Sequence, residues 1–175
     1  KSELPKVLCE VLFTPMVNWV VEACRTAGIG EICAVTGYRS ELVEEALEKG
    51  VQTAHQTQQL GTGHAVLMAR AFLQTHCPGD VAVLNGDAPL MDADTLERAY
   101  ELHKSEGNAV TIITAQLQNP PEYGRILRGP DGVEAIVEHK DATEEQRKIC
   151  EVNSGAYWFD VESLLAVLDE LSSNN

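Results

Sequence analysis

The stretch Val81-Ala82-Val83-Leu84-Asn85-Gly86-Asp87-Ala88-Pro89-Leu90 constrains this chain more than any other, because it carries an apolar run straight into a glycine, a single carboxylate and a proline. Four small or branched apolar residues in a row suit a strand covered on both faces. Pro89 has no N–H to give a sheet ladder, so the strand cannot run far beyond Asp87. The pattern therefore predicts that Asp87 stands at the carboxyl end of a strand. Ligands of open α/β sheets bind along that edge, and an aspartate there is positioned to handle a cation and phosphates. On these residues alone, a turn cap before the next helix is an equally good reading of Asp87.

The flanking sequence alternates strand and helix patterns. Thr14 reads as the N-cap of a helix with Pro15 at its first position; Met16, Val20 and Cys24 share one face, and Gly28 closes it. A strand over 32–36 follows, then a turn at Gly37 and Tyr38. Ser40 is the expected cap of a second helix, with Glu41, Glu44 and Glu45 near its positive end and Gly50 at its close. A short strand over 51–55 precedes a third helix that Gly61-Thr62-Gly63 opens and that runs to Leu73. After the 81–84 strand, Asp92 caps a helix ended by Gly107, and 109–117 reads as a strand. This β-α order with short links implies right-handed crossovers and an α/β fold with a doubly wound, mostly parallel sheet.

Beyond Pro120-Pro121 the pattern becomes α+β. Residues 124–128, the turn Gly129-Pro130-Asp131-Gly132 and residues 133–137 spell a hairpin. Thr143-Glu144-Glu145-Gln146 is a capping box, 150–159 contains a further strand, and Asp160 caps a helix ending at Leu171.

Several classes of function are excluded on charge and composition. The formal charge of -14 argues against a broad nucleic-acid or anionic-membrane surface, since both need clustered cations. Any phosphate site must be local. No apolar run reaches the roughly 20 residues that span a bilayer, and no charged-then-apolar leader opens the chain. The five cysteines are odd in number, widely spaced and without a C-x-x-C pair, which suggests reduced core thiols in a cytoplasmic protein. His55, His64, His76, His103 and His139 lack metal-ligand spacing and read as caps, surface groups or packing residues.

Six motifs in order carry a resemblance: Ser2-Glu3-Leu4-Pro5-Lys6-Val7-Leu8, Gln59-Leu60-Gly61-Thr62-Gly63-His64-Ala65, Gly86-Asp87-Ala88-Pro89-Leu90, Tyr123-Gly124-Arg125-Ile126, Ile136-Val137-Glu138-His139-Lys140-Asp141-Ala142-Thr143 and Glu151-Val152-Asn153-Ser154-Gly155. Nearly end to end, the chain resembles the uridylyltransferase domain of the bifunctional GlmU family. Leu-Pro-Lys and Gly-Asp-x-Pro-Leu belong to sugar nucleotidyltransferases in general, whereas the second and fifth motifs are specific to this type. The resemblance implies a Rossmann-like nucleotidyltransferase fold over residues 1–175, with an α+β sugar-binding second half. It implies Mg²⁺-dependent synthesis of UDP-N-acetylglucosamine and pyrophosphate from UTP and N-acetylglucosamine 1-phosphate, for peptidoglycan and lipopolysaccharide precursors.

The same resemblance suggests that the domain is incomplete at both ends. The family's glycine-rich phosphate loop precedes Leu-Pro-Lys, and a later segment carries an asparagine that is the second protein ligand to Mg²⁺. A left-handed β-helix, which acetylates glucosamine 1-phosphate and supports a homotrimer in the full-length family members, lies further on. Asn85 stands where relatives vary, and Ser154 where threonine is usual.

Residue by residue, Asp87 is the expected Mg²⁺ ligand, since a hard cation keeps its waters and takes only one or two protein carboxylates. Lys6 is the expected phosphate-binding cation, and Lys6 and Asp87 together are the expected catalytic pair. Gly61 and Thr62 let backbone approach a flat base, and the Gln56 amide has a donor and an acceptor with which to read uracil. Asn85 and Gly86 adjoin them in the Asp87 turn, and by family analogy Gly124, Glu138 and Asn153 hold the N-acetylglucosamine part. The reacting phosphate oxygen is already an anion, so positioning and charge neutralisation suffice, in keeping with the lack of any Ser-His-Asp or Cys-His array. Two other readings stay open: another sugar-1-phosphate nucleotidyltransferase, and a non-catalytic nucleotide-sugar-binding module.

Overall fold

A computed structural model describes residues 4–130, 132–168 and 170. A 3-10 turn, Lys6–Leu8, leads into a small ladder in which β1 (Glu10–Val11) pairs antiparallel with β2 (Thr14–Pro15). Thr14 is therefore a strand residue and not a helix cap. Pro15 has the fixed φ of a helix start, but its ψ of 139° keeps the backbone extended, and α1 (Met16–Thr26) begins one residue later without a side-chain cap. Its apolar face buries Val17, Val20, Val21, Ala23 and Cys24, and Gly28 follows the end of the helix at φ +77°.

Next comes a parallel β-α-β unit of β3 (Cys33–Thr36), α2 (Ser40–Ala46) and β4 (Gln52–His55). Ser40 is the first helical residue here, and the cap position belongs to Arg39 in the left-handed conformation. The single helix expected through Leu73 is two, α3 (Thr62–Met68) and α4 (Arg70–Thr75), joined at Ala69, whose ψ of 8° departs from helix geometry. β5 (Asp80–Val83), α5 (Ala93–Glu106) and β6 (Val110–Gln116) follow, with Asp92 accepting a hydrogen bond from the Thr95 N–H at 2.7 Å and Gly107 closing α5 in the left-handed region.

The second half supplies the expected hairpin, β7 (Arg125–Gly129) against β8 (Gly132–Val137). The capping box starts α6 (Glu144–Arg147). β9 (Glu151–Asp160) follows, and Asp160 caps α7 (Val161–Leu168) by accepting from the Ser163 N–H at 2.7 Å. Ser2, Glu3 and Asp131 from the expected motifs, and the helix end at Leu171, lie outside the described residues.

β9 organises the larger sheet. It pairs antiparallel with β5 on one side and β6 on the other, and its first residues also meet β7. β5 and β6 consequently point the same way, as the β-α-β pattern requires, with β9 slotted between them in the opposite sense. Nothing local in the sequence announces this insertion, since a strand's neighbours are chosen by distant segments.

Helices cover both faces. On one, α1 and α5 bring Val20, Cys24 and Leu96 against Ile32, Leu84 and Ile113. On the other, α4 and α7 bury Leu73, Val161, Leu164 and Leu168 against Val81 and Phe159. The result is an α/β fold of three layers. β3 and β4 form a sheet separate from the five strands built around β9. Of the five cysteines, Cys24 is buried, Cys9 and Cys33 are half-buried, and Cys77 and Cys150 are exposed. The expectation that the thiols belong to the core holds for Cys24 alone. Among the described residues no helix is long and apolar enough to cross a membrane.

Candidate functional site

β5 ends at Val83, and Asn85, Gly86 and Asp87 form a turn beyond it that the Ala88 N–H closes on the Asn85 carbonyl at 3.2 Å. Asp87 caps no helix, because Asp92 does that for α5. Gly86 rests on Val7 and Val17: a Cβ there would meet the Val7 Cγ1 at 3.4 Å and the Val17 Cγ2 at 3.6 Å. That contact brings the Lys6 turn alongside. The Lys6 Nζ donates to the Asp87 Oδ2 at 2.6 Å, although 81 residues separate the two in sequence. Hydrogen bonding to this carboxylate, then its charge, raises the Lys6 ammonium above the usual lysine range. The side chains of Lys6 and Asp87 are 76% and 34% exposed, so the pair is open to solutes.

Gln56 follows β4, where its N–H donates to the Thr36 carbonyl at 2.7 Å. Its Nε2 donates to the His64 Nδ1 at 2.9 Å and the Gly61 carbonyl at 3.3 Å, which fixes the amide's orientation. Gly61 enters α3 at φ +99°, a conformation that only glycine takes readily. Gln56, Gly61, Thr62, Asn85 and Gly86 line one cavity of about 840 Å³. His64 carries no signal as a site residue beyond its place two residues into the helix.

Gly124, Glu138 and Asn153 also converge. A Cβ on Gly124 would lie 3.3 Å from the Glu138 Oε1 and 3.7 Å from the Asn153 Cβ, and the Asn153 N–H donates to the Gly124 carbonyl at 2.9 Å. The Asn153 side chain is held at both ends: Oδ1 accepts from the Gly155 N–H at 3.0 Å, and Nδ2 donates to the Tyr157 Oη at 2.6 Å. The ladder explains the local shape. Ile113 pairs with Ala156 and Thr114 with Asn153, so Ser154 and Gly155 are extra residues bulged out of β9. Ser154 secures the bulge by donating to the Ile113 carbonyl at 2.6 Å. Gly155, at φ +77°, lies so close to Asn85 that a Cβ would stand 2.2 Å from its Nδ2.

Asn85 against Gly155 is one junction between the two groups of expected residues. Tyr157 was not expected from sequence; an isolated glycine inside a strand pattern, the usual sign of a bulge, is the nearest signal.

Two basic residues near the motifs do other work. Arg125 is 1% exposed and donates to the carbonyls of Pro120, Pro121, Tyr123 and Arg147, which makes it a clamp on the backbone. Lys140 lies 3.9 Å from Asp141 on the surface, and Glu138 forms no ion pair with it.

Among the described residues no three His, Cys, Asp or Glu side chains assemble to hold a metal ion. A single half-buried carboxylate does not suit a closed zinc cage. It does suit Mg²⁺, which keeps most of its waters, and the cation would then compete with the Lys6 ammonium for Asp87.

The nucleotidyl transferase family matches residues 2–175. The chain is 48% identical to the bifunctional protein GlmU of Caldanaerobacter subterraneus and 47% identical to that of Clostridium perfringens; each match covers 100% of this chain and 38% of the relative. The chain thus spans well under half the length of these relatives. An apo UDP-glucose pyrophosphorylase crystal structure shares the fold, with a TM-score of 0.76 at 17% identity over 98% of this chain and 75% of that one.

Proposed function

Because this chain belongs to the nucleotidyl transferase family, we propose that it is the uridylyl-transferring part of an enzyme that joins N-acetylglucosamine 1-phosphate to UTP, releasing pyrophosphate and forming UDP-N-acetylglucosamine. The observation that carries this reading is the 2.6 Å pair of Lys6 and Asp87 beside a cavity rimmed by Gln56, Gly61, Thr62, Asn85 and Gly86. Through Asn85 and Gly155 that cavity adjoins the trio of Gly124, Glu138 and Asn153.

A sugar-phosphate oxygen attacks the α-phosphorus of UTP; the new P–O bond forms as the bond to the β-phosphate oxygen breaks, and the electron pair leaves with pyrophosphate. Lys6 turns from Asp87 to the phosphates and neutralises part of their charge. Asp87 would hold Mg²⁺, which when bound would supply charge screening between the two polyanions. Gln56 reads the edge of uracil with an amide that His64 and the Gly61 carbonyl keep in one orientation. Glu138 and Asn153 pair with sugar hydroxyls and the acetamido group, so a sugar lacking those groups leaves these partners unmet. Gly124 leaves room for the close approach.

On this reading the enzyme works in the cytoplasm and supplies peptidoglycan and lipopolysaccharide precursors. The relatives' printed name, "Bifunctional protein GlmU", and the 38% of their length matched here support a second catalytic part outside these 175 residues. By the family resemblance it acetylates glucosamine 1-phosphate and holds a homotrimer.

The test is pyrophosphate release by the protein at its natural length, from UTP with N-acetylglucosamine 1-phosphate, set beside dTTP and glucose 1-phosphate. Asp87→Ala is expected to lower kcat by about 10² or more while UTP still binds. An undiminished rate would remove Asp87 from the reaction. Faster turnover of another pair would reassign the substrate, and Mg²⁺-dependent nucleotide binding without product would mark a binding module.

A further inference from the structure

The Gln56 amide meets the cavity with its donor end already spent. A carbonyl can only accept, so the amide atom 3.3 Å from the Gly61 oxygen is the nitrogen Nε2, and this fixes the reading of its other contact. The second N–H of the same nitrogen points to the His64 Nδ1 at 2.9 Å. Nδ1 must then offer a lone pair, which puts the proton of the neutral imidazole on Nε2 of the ring. Both N–H bonds of the Gln56 amide are thus used inside the protein, and its Oε1 meets no donor among the described residues. A single acceptor is all that this side chain offers a ligand.

The backbone keeps the arrangement in place. The Gln56 N–H is anchored on the Thr36 carbonyl at 2.7 Å, and the Gly61 carbonyl also accepts the Ala65 N–H at 3.1 Å, which ties it to the first turn of α3. His64 belongs to that same turn. Gln56, Gly61 and Thr62 line the cavity whereas His64 does not, so the imidazole acts on the cavity through the amide alone.

Pyrimidines differ in what they would set against such an acceptor. Uracil and thymine carry a ring N–H between two carbonyl oxygens; cytosine has a bare ring nitrogen at that position, beside an amino group. An acceptor held opposite the ring position is satisfied by uracil or thymine, but with cytosine it sets lone pair against lone pair. An amide free to turn over would serve either base, because its donor end suits the cytosine nitrogen.

We propose, resting on the uridylyl-transfer reading, that His64 is a positioning residue for base selection. By engaging the second N–H of Gln56 it keeps Oε1 turned to the ring N–H of a uracil-type base and excludes cytosine nucleotides. Uracil and thymine are not told apart by this contact.

Calorimetric binding of UDP, ribothymidine diphosphate and CDP to the protein at its natural length tests this without turnover. The wild type is expected to prefer UDP to CDP by about tenfold or more. His64→Phe, which keeps a ring but has no acceptor, is expected to remove most of that preference while the ratio of UDP to ribothymidine diphosphate stays unchanged. His64→Asn, whose Oδ1 can accept from nearly the place of Nδ1, should restore most of it. An equal loss of affinity for all three nucleotides in His64→Phe would overturn the inference, since it would show a role in the helix and none in the base. Full preference in His64→Phe, or equal binding of UDP and CDP by the wild type, would overturn it too. If His64→Phe does not fold, the ring nitrogen chemical shifts of His64 in the UDP-bound wild type decide: a proton on Nε2 supports the proposal, and a proton on Nδ1 overturns it. Pyrophosphate release is a separate readout. A protein that selects UDP through His64 yet forms no product would keep this role and lose the transferase assignment, and turnover of UTP with a preference untouched by His64→Phe would do the reverse.

Discussion

Gly155 is held by two constraints of different kinds. Its φ of +77° penalises any side chain by about 1–2 kcal/mol, and its approach to the Asn85 Nδ2 leaves no room for a Cβ. Gly155→Ala is expected to cost more than the backbone strain alone in urea unfolding, and adding Asn85→Ala should recover the steric part only; full recovery would show that the backbone is unstrained. Tyr157 makes a subtler case. It touches no expected substrate group, but its hydroxyl takes the Asn153 Nδ2 donor at 2.6 Å and sets which way that amide points. Losing one such bond is worth about 1 kcal/mol, so Tyr157→Phe should raise KM for the sugar phosphate about fivefold with kcat nearly unchanged; a fall in kcat at constant KM would contradict a positioning role. Some of these residues were legible in advance and some were not. Asp92 and Thr143 declared themselves because a capping side chain bonds to its own neighbours. Arg125, His64 and Tyr157 did not, because their partners, though mostly near in sequence, are set by irregular loop and bulge geometry that no residue pattern announces.

At the scale of elements, the loop before β7 depends on a cation that is almost wholly buried. Arg125 ties the carbonyls of Pro120, Pro121 and Tyr123 to that of Arg147, the last residue of α6. Arg125→Met would leave several part-buried carbonyls without their donor and should lower unfolding stability by roughly 1–3 kcal/mol. Arg125→Lys is expected to recover little, since a point charge cannot serve a planar fork of donors. A change below about 0.5 kcal/mol in Arg125→Met, within the range of ordinary surface substitutions, would show that the clamp is dispensable. The helices and strands of the first half were readable from glycine punctuation and apolar periodicity, with errors at their starts. Thr14 was drawn into β2 by pairing with Val11, and Arg39 rather than Ser40 took the cap. In the first, a tight local ladder wins over the helix cap. The bulge at Ser154 and Gly155 was beyond reach for a different reason, because it exists only relative to β6.

Across the whole molecule, the two sheets differ in how they are supported. The five strands around β9 are hydrogen-bonded to one another, whereas β3 and β4 have only each other. In the 175-residue chain the amides of β4 are therefore expected to exchange well before those in the middle of β9, in a separate opening step. Simultaneous exchange in both would show a single cooperative unit. The α/β class was legible from the alternation of patterns, and so was the place of Asp87 just past the end of a strand. The route of β9 was not, nor was the division into two sheets, since neither leaves a local trace.

Asn153 at one end of β9 and the residues paired with β5 at the other ride on a single continuous backbone. On the proposed function, the groups that would grip donor and acceptor are coupled through one strand, with the Ser154–Gly155 bulge as the single irregular step in its pairing with β6.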